Sequence, residues 1–309
     1  MIAVSVIIVN YNTKELIRNC LKSLFEQTKG ISFEVIVSDN GSVDGSQEMI
    51  KTTFPSVILV ENKENVGFGT ANNRALNHAS GKYIFYLNSD TVLLNNAVKC
   101  FFDYWEAFQD KGQLGALGCF LVDEDGSPAP AGGNFPSYLH ICHEAFAFLY
   151  NDIFKTVRLY RLVRKLKKCF TKQTETTHKE QTERNVDFVC GADLFVLNDK
   201  NAFFDETYFL YYEETDLQFR MAQTGLYARL IGSPQIIHLQ GGSDSNARIA
   251  PFSQIQRQIS SLYYSRKNLH KTGGILRLLI LLDWANPLLW EKVRPYRKNL
   301  RNTHRECQK

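Results

Sequence analysis

The sequence has few cysteines, and they form no recognisable pattern. The seven cysteines are odd in number, scattered along 309 residues and never spaced as Cys-x-x-Cys. A zinc knuckle and a disulfide framework both need regular spacing, so neither is indicated. Reduced thiols are typical of a cytosolic protein, and we therefore expect a cytoplasmic location.

Long apolar runs are also lacking. The apolar run at residues 2–9 has no basic segment before it and ends at polar Asn10, which argues against a signal peptide and favours a buried strand. The apolar stretch at residues 275–282 is interrupted by Arg277 and followed by Asp283. Since a membrane-spanning helix needs about 20 apolar residues, we expect no membrane span.

A glycine-rich turn after the first strand is the third absence. A dinucleotide-dependent oxidoreductase needs Gly-x-Gly-x-x-Gly there, whereas the segment at residues 10–13 contains no glycine. That class of enzyme is therefore excluded. With 44% hydrophobic and 22% charged residues and no internal repeat, the composition is that of an ordinary globular protein.

The first 120 residues alternate β-branched runs with helical periods, the pattern of βαβ units around a mostly parallel sheet. Five strands are predicted, at residues 4–9, 33–38, 57–61, 83–87 and 114–120. Two of the helices between them are predicted to begin with capping boxes, Asn12 with Glu15 and Asp44 with Gln47. The fold class is α/β, with helices flanking a central sheet of Rossmann-like type.

The regular alternation stops after residue 120. We predict an insertion at residues 123–184, after which regular structure resumes at 186–197, followed by an aromatic loop, a helix at 214–223 and strands near Tyr227 and Ile236. The predicted domains are an α/β domain at residues 1–243, which contains the insertion, and a helical C-terminal extension at residues 244–309.

The insertion contains a basic segment. Residues 155–172 hold eight Lys or Arg and no acidic residue, and apolar side chains recur at helical spacing between them. The pattern predicts a basic amphipathic helix, which is typical either of a membrane surface or of a solvated helix packed on the main domain. We expect peripheral attachment to an anionic membrane surface on the cytoplasmic side, helped by the apolar stretch around residues 275–290. No nucleic-acid-binding motif accompanies the segment, so nucleic acid is not an expected partner.

Polar residues follow each of the first four strands. In an open α/β sheet, ligands bind outside the carboxyl ends of the strands. Asn10, Asp39, Asn65, Gly67 and Asp90 therefore predict a nucleotide site at one edge of the sheet. Taken singly, each residue has a second explanation: the turn at residues 65–67 is equally a structural turn, and a lone acid is often a turn former.

Asp90 is a candidate metal ligand. Mg²⁺ or Mn²⁺ needs only one or two carboxylates, together with water and the phosphates of a substrate. A helix cap is the alternative function of this residue. His238, after a short predicted strand, is either a metal or phosphate ligand or a structural histidine.

A second acidic cluster lies at the start of the predicted helix near residue 214. Glu213, Glu214 and Asp216 follow the aromatic loop at residues 208–212. Negative charges at the start of a helix are stabilised by the helix dipole, so a solvated cluster of acids that caps the helix is one explanation. Aromatic surroundings raise the pKa of a carboxyl group and offer a surface for a sugar ring, so a general base is the other.

Taken together, these motifs resemble the inverting glycosyltransferase family 2 of GT-A fold, and within it the rhamnosyltransferase-like branch. The resemblance covers residues 1–243 outside the insertion. The segments that resemble the family are VSVIIVNYN at 4–12, VSDNGSVDGS at 37–46, ENVGFGTANNRAL within 61–76, LNSD at 87–90 and FDETYFLYYEETDLQFR at 204–220.

The resemblance implies a role for each matching residue. Glu214 is implied as the catalytic base, with Glu213 as the alternative because Glu-Glu stands where the family has Glu-Asp. Asp90 and His238 are implied as contacts of Mg²⁺ or Mn²⁺ and the diphosphate. The expected donor contacts are Asn10, Asp39, Asn65, Gly67, Asn72, Asn88 and Ser89. The expected acceptor-side residues are Gly191, Ala192, Asp193 and Asp216.

The reaction that the resemblance implies is transfer of one sugar with inversion. The donor would be a dTDP- or UDP-sugar, with rhamnose as the candidate sugar, and the acceptor a hydroxyl of a glycan or lipid-linked glycan. A catalytically silent sugar-nucleotide-binding partner protein is the competing hypothesis, supported by the Glu213-Glu214 pair and by Asn88. It predicts donor binding without turnover.

Overall fold

The computed structural model describes residues 1–156, 182–239 and 251–285. The chain divides into two compact units. The sheet unit consists of Met1–Phe135 and Gln181–Arg248, and the helical unit of Pro136–Glu180 and Ile249–Lys309. The domain limits and the insertion derived from the sequence remain predictions.

The first half of the sheet unit follows the predicted alternation of strands and helices. Its strands are β1 (Val4–Asn10), β2 (Phe33–Asp39), β3 (Ile58–Glu61), β4 (Tyr83–Asn88), β5 (Thr91–Leu93) and β6 (Leu114–Cys119). Its helices are α1 (Lys14–Gln27), α2 (Ser46–Thr53), α3 (Phe68–Leu76) and α4 (Ala97–Ala107). All five predicted strands are confirmed, and in β1, β2, β4 and β6 the buried apolar runs are a strong signal, whereas β3 is partly exposed.

The second half of the chain is less regular. The elements that follow are β7 (Gly132–Gly133), α5 (Tyr138–Thr156), β8 (Arg184–Val186), β9 (Phe188–Val189), β10 (Asp193–Leu197), α6 (Glu213–Ala222), β11 (Tyr227–Ile231), β12 (Ile236–His238), α7 (Pro251–Lys267) and α8 (Gly274–Trp284). The ordered segment expected at 186–197 contains the end of β8 and the whole of β9 and β10. Its first part pairs with β11 and β7, and the chain turns at Gly191 before β10 begins.

Within the described residues the main sheet has eight strands in the order β3-β2-β1-β4-β10-β6-β11-β8. The first four are parallel to one another, so their carboxyl ends meet at one edge. Strand β10 runs antiparallel between β4 and β6. A separate antiparallel pair joins β5 to β12. This mixed α/β architecture is of GT-A type, as expected.

The predicted capping boxes are wrong in both helices. Asn12 has a φ of +53°, and its Oδ1 accepts a hydrogen bond from the backbone of Val43 at 2.8 Å instead of capping α1. The Gln47 amide donates to Asp39 at 2.6 Å rather than returning to Asp44. Asn12 and Gln47 therefore form hydrogen bonds with other loops instead of the local capping bonds, which contribute only about 1 kcal/mol each.

The helical unit contains α5, α7 and α8 in its described part, and α5 packs against both of the others. A buried polar network joins α7 to α8: Gln254 and Gln258 both donate to Asp283 at 2.8 Å, and the Trp284 indole donates to Gln258 at 2.7 Å. None of the described helices combines the length and apolarity needed to cross a membrane. The predicted basic helix near residues 155–172 lies almost entirely outside the described residues.

Candidate active site

The ends of β1 and β2 are joined by a buried pair of side chains. The Asn10 amide donates to Asp39 Oδ2 at 2.7 Å, and Asp39 Oδ1 accepts from the Ser42 backbone at 2.9 Å. Gln47 adds the third bond, also to Oδ1. Because a carboxylate oxygen accepts about two hydrogen bonds, Oδ2 keeps one acceptor position. The Asp39 carboxylate, which is fully buried, is thus held rigidly at the ends of the two strands.

The turn between β3 and α3 contacts the end of β2 on one side and the aromatic loop on the other. Asn40, next to Asp39, donates to Asn65 Oδ1 and to the Gly67 carbonyl, both at 3.2 Å. Gly67 has a φ of +88°, and a Cβ atom added there would lie 2.5 Å from the Phe209 carbonyl oxygen. The turn therefore needs glycine, and it connects the end of β2 with the aromatic loop at residues 208–212.

Asn72 is a buried polar residue of α3. Its amide donates to the Phe68 carbonyl at 3.1 Å, one turn earlier in the helix, and its side chain is buried. The hydrogen bond to Phe68 gives the buried Asn72 amide a partner within the helix. The predicted donor contact of Asn72 remains a prediction.

The segment after β4 meets two distant parts of the chain. The Ser89 hydroxyl lies 3.2 Å from the Thr13 hydroxyl, in the loop after β1. The Asn88 backbone donates to the Ala192 carbonyl at 3.0 Å. Asn88 and Ser89 therefore lie between the loop after β1 and the start of β10.

Asp90 and His238, far apart in sequence, lie side by side. The pairing of β5 with β12 places His238 opposite Thr91, and His238 Nε2 is 3.3 Å from Asp90 Oδ1. Both side chains are only 17% exposed. Among the residues that the structure describes, none is a hydrogen-bond partner of the buried His238 Nδ1.

These two side chains fit a divalent cation whose other ligands come from elsewhere. One carboxylate and one imidazole suit Mn²⁺, and Mg²⁺ accepts a single carboxylate when phosphate and water complete its shell. The described residues contain no group of three or more His, Cys, Asp or Glu placed to hold a metal ion. A cation here would therefore depend on a diphosphate ligand for tight binding.

The three acids at the start of α6 have three different environments. Glu213 is 4% exposed, and its Oε2 has no hydrogen-bond partner within the described chain. Burial, reinforced by the negative charge of Glu214, raises the pKa of Glu213 well above its usual value. Glu214 is half-buried. Asp216 is fully buried and accepts bonds from Tyr208 at 3.2 Å and Arg220 at 3.1 Å, which tie the aromatic loop to α6.

Glu214 lies beside the segment at residues 191–193. A Cβ atom added at Gly191 would be 3.6 Å from the Glu214 Cβ. Gln218, one turn along α6, exchanges two 2.8 Å hydrogen bonds with the backbone of Val189 and donates to the Glu214 carbonyl at 3.0 Å. Gln218 therefore fixes the start of α6 against this segment.

Asp193 is fully buried at the start of β10. It accepts a hydrogen bond from the Cys119 backbone at 2.5 Å, and the Cys190 thiol lies 3.6 Å from its other oxygen. Burial raises its pKa from 3.8 to about 6, although these bonds and His238 act in the opposite direction. The carboxyl group holds β10 to β6 at the point where the chain reaches Glu214.

The contacts form a closed ring around the edge of the sheet. The ring passes from the end of β1 to that of β2, through the Gly67 turn to the aromatic loop, and along α6 to Gly191. It returns through Asn88 and Ser89 to the loop after β1. Asp39, Asp90 and Glu214 all belong to this ring or adjoin it in the chain.

Three contributors to the ring were not anticipated from the sequence: Thr13, Asn40 and Gln218. Each is a polar residue whose partner lies in another loop, so no local spacing signals it. Gln218 offers no such signal either, since the buried positions of its helix include Glu213, Thr215 and Asp216 as well as apolar residues.

Comparison with solved structures identifies the class of fold. A mannosyltransferase from Pyrobaculum calidifontis, in complex with GDP-Man and Mn²⁺, has a TM-score of 0.55 and 17% identity over 97% of this chain and 73% of its own. TarS 1-349 of S. aureus, in complex with UDP-GlcNAc, has a TM-score of 0.51 and 14% identity over 98% of this chain and 79% of its own. The protein has the GT-A fold of these transferases.

The sequence comparisons match the first part of the chain to a known family. Residues 5–127 match the model described as glycosyl transferase family 2. The N-acetylglucosaminyl-diphospho-decaprenol L-rhamnosyltransferase of Mycobacterium tuberculosis is 26% identical over 301 residues, 92% of this chain and 87% of its own. The chain is a glycosyltransferase that carries a family 2 domain.

Proposed function

We propose that the protein transfers a sugar from a nucleoside diphosphate sugar to a hydroxyl group of a lipid-linked or polysaccharide glycan, with inversion and with the help of Mg²⁺ or Mn²⁺. The observation that carries the proposal is the ring that joins Asp39, the Asp90–His238 pair and Glu214 at one edge of the sheet. A donor diphosphate, a cation and a general base are the three components that such a reaction needs in one place.

Asp39 and Asn10 would bind the nucleoside. Oδ2 of Asp39 keeps one acceptor position, which suits a base imide or a ribose hydroxyl. The fastened turn at Asn65 and Gly67 would form the wall of the donor pocket beside them, and Asn72 in α3 adds a donor contact. A dTDP- or UDP-sugar is the donor class, and rhamnose is the sugar that the M. tuberculosis relative supports.

Asp90 and His238 would hold the cation under the diphosphate, with Asn88 and Ser89 beside it. A bound Mg²⁺ or Mn²⁺ neutralises charge that grows on the departing diphosphate. Asp90 and His238 are positioned by the pairing of β5 with β12, so their separation is set before the donor arrives.

Glu214 is the stronger candidate for the general base. A base must be deprotonated to act, whereas burial and the charge of Glu214 raise the pKa of Glu213 well above its usual value and so favour its protonated form. Glu214 is half-buried, beside Gly191, where an acceptor could approach. Glu214 would take the proton of the acceptor hydroxyl while that oxygen attacks the anomeric carbon from the face opposite the diphosphate.

The acceptor would lie along residues 191–193. Gly191 leaves space beside Glu214, while Ala192 and Asp193 join this segment to β4 and β6. Asp216 would act on the acceptor side by holding the aromatic loop against α6. A lipid-linked acceptor is supported by the name of the M. tuberculosis relative, and it would place the enzyme at the cytoplasmic face of a membrane.

A transfer assay with two matched variants tests the proposal. Glu214→Gln should lower the transfer rate about 10²- to 10⁴-fold, as expected for loss of a general base, and leave the affinity for the donor unchanged. Glu213→Gln is the control, since glutamine imitates the protonated acid and should keep most activity. Full activity of Glu214→Gln would refute the assignment of the base.

The donor is found by thermal shift with a panel of nucleotide sugars, with and without Mn²⁺, because a tightly bound donor stabilises the fold by mass action. A wild-type protein that binds a donor but neither transfers nor slowly hydrolyses it with Mn²⁺ would favour the silent binding protein instead.

A further inference from the structure

The charge of the chain is divided unequally between its two units. The helical unit contains 21 Lys or Arg and 7 Asp or Glu, whereas the sheet unit contains 15 and 25. The modest net charge of +4 for the whole chain conceals this division. A strongly basic unit attached to an acidic one is typical of a protein whose basic part meets an anionic partner.

Helix α8, in the same basic unit, is apolar around most of its circumference. Leu276, Ile280 and Trp284 are buried on one side. The exposed side carries Ile275 at 65%, Leu278 at 58%, Leu281 at 47% and Leu282 at 50% exposure. At about 100° per residue, these four side chains cover an arc of roughly 120°.

Helix α5 repeats the arrangement. Its buried stripe is Ile141, Ala145 and Leu149, and it packs with α8. Leu139 and Phe146 are nevertheless 79% and 53% exposed. A helix that is apolar on both its buried and its exposed sides is unusual in water, and a contiguous exposed apolar surface marks an interaction site.

We propose that the exposed apolar side of α8 inserts into the surface of an anionic lipid bilayer, held there by the positive charge of the helical unit. Helix α8 has 11 residues and is about 16 Å long, too short to span a bilayer core of about 30 Å. It would lie in the plane of the membrane surface, with its leucines between the lipid chains and its buried side on the protein.

Charge complementarity selects this occupant over the others. A second copy of the helical unit would bring a second excess of positive charge, which opposes association of the two copies. A nucleic acid would satisfy the charge but would leave the leucines of α8 exposed. Only an anionic bilayer offers an apolar interior beneath a negative surface.

This inference gives a physical basis to the lipid-linked acceptor of the proposed function, and it rests on that proposal only for its biological purpose. Vesicle binding is measured without donor or acceptor, so its outcome is independent of glycosyl transfer.

The test is co-sedimentation of the purified full chain with vesicles of phosphatidylglycerol and phosphatidylcholine, compared with phosphatidylcholine alone. The wild-type protein should bind the anionic vesicles at low salt, and high salt should weaken the binding. The double variant Leu278→Gln/Leu282→Gln should bind about tenfold more weakly or worse, since glutamine keeps helix propensity and charge but removes apolar surface.

The matched control is Ile58→Gln/Leu197→Gln, which changes two exposed apolar residues of the sheet unit and should bind vesicles as the wild type does. If the α8 double variant does not fold, as judged by circular dichroism, Ile275→Gln at the first turn of α8 replaces it, with an expected loss in the same direction.

Four results would overturn the proposal. The first is no binding of the wild type to anionic vesicles at low salt, and the second is equal binding of the α8 variants and the wild type. The third is a dimer that the α8 variants convert to a monomer without any change in vesicle binding, which would assign the surface to a second copy of the chain. Displacement of the vesicles by an oligonucleotide, with loss of oligonucleotide binding in the α8 variants, would assign it to nucleic acid and count equally against the proposal.

Discussion

The neighbouring acids Glu213 and Glu214 differ in burial and therefore in how readily each carboxyl group loses its proton. Glu213 and Glu214 are adjacent in the chain, yet one carboxyl group is buried without a hydrogen-bond partner for its Oε2 in the described chain and the other is half-buried beside a glycine. The spacing of the motif predicted the pair but not which member is the base. The environment of each side chain supplies that distinction, because a protonated acid cannot accept a proton.

Glu213→Gln should therefore change stability in a way that depends on pH. The raised pKa of Glu213 means that its protonated form favours the folded state, so its contribution is complete at acidic pH and declines as pH rises through the folded-state pKa. Urea denaturation of both proteins at pH 5 and pH 8 measures the difference. The variant should gain stability relative to the wild type at the higher pH, and a gain at the lower pH instead would contradict the buried, protonated state.

Asp193→Asn is a second prediction of the same kind, with a defined window. The pKa of Asp193 rises from 3.8 to about 6 on folding, so its contribution is lost between about pH 4 and pH 6. Across that window the wild type should lose on the order of 3 kcal/mol of unfolding free energy relative to the variant. Urea denaturation in EDTA measures this, and parallel pH profiles would show that the carboxyl group is not desolvated.

At the scale of the elements, the start of α6 depends on Gln218. Its two bonds to the Val189 backbone and its bond to the Glu214 carbonyl place Glu214 against Gly191. Gln218→Ala should lower the free energy of unfolding by about 1–3 kcal/mol, because buried backbone groups lose their partners.

The same Gln218→Ala variant should reduce kcat more than it changes the KM for the donor, since Glu214 shifts while the nucleoside site stays intact. Steady-state kinetics separate the two quantities. Gln223→Ala, at an exposed position after α6, is the control and should leave both unchanged. A rise in donor KM with normal kcat would mean that Gln218 does not position the base.

The turn at Gly67 is predicted to tolerate no side chain larger than that of glycine. Gly67→Ala places a Cβ atom in a left-handed conformation and 2.5 Å from the Phe209 carbonyl oxygen, so the turn or the aromatic loop must shift. We expect a loss of more than about 1 kcal/mol in stability and weaker donor binding, measured by thermal shift and titration calorimetry. Gly112→Ala, where an added Cβ atom meets nothing within 4 Å, is the control.

Elements differed in how well the sequence predicts them. Strands β1–β4 and β6 were predicted within one residue at each end, and in all of them except the partly exposed β3 the apolar runs are largely buried. The antiparallel position of β10 between β4 and β6 comes from pairing across the sheet, which no local pattern encodes. Helix α5 was missed because its apolar residues recur on both of its sides, which weakens the helical period.

On the scale of the whole molecule, the site is assembled from parts that are distant in sequence. Asp90 and His238 were each singled out from the sequence, but their contact depends on the β5–β12 pair. The ring of contacts likewise depends on the Gly67 turn meeting the aromatic loop. The resemblance to family 2 named most of these residues, whereas their arrangement became visible only in the fold.

The most direct test of a single shared site is a crystal structure with Mn²⁺ and the nucleoside diphosphate of the donor that the thermal-shift panel identifies. Anomalous scattering should place Mn²⁺ at roughly 2–2.3 Å from a carboxylate oxygen of Asp90, with the nucleoside against Asp39 and Glu214 facing the diphosphate across the cleft. A metal bound away from Asp90, or a nucleotide bound outside the ring of contacts, would contradict the account.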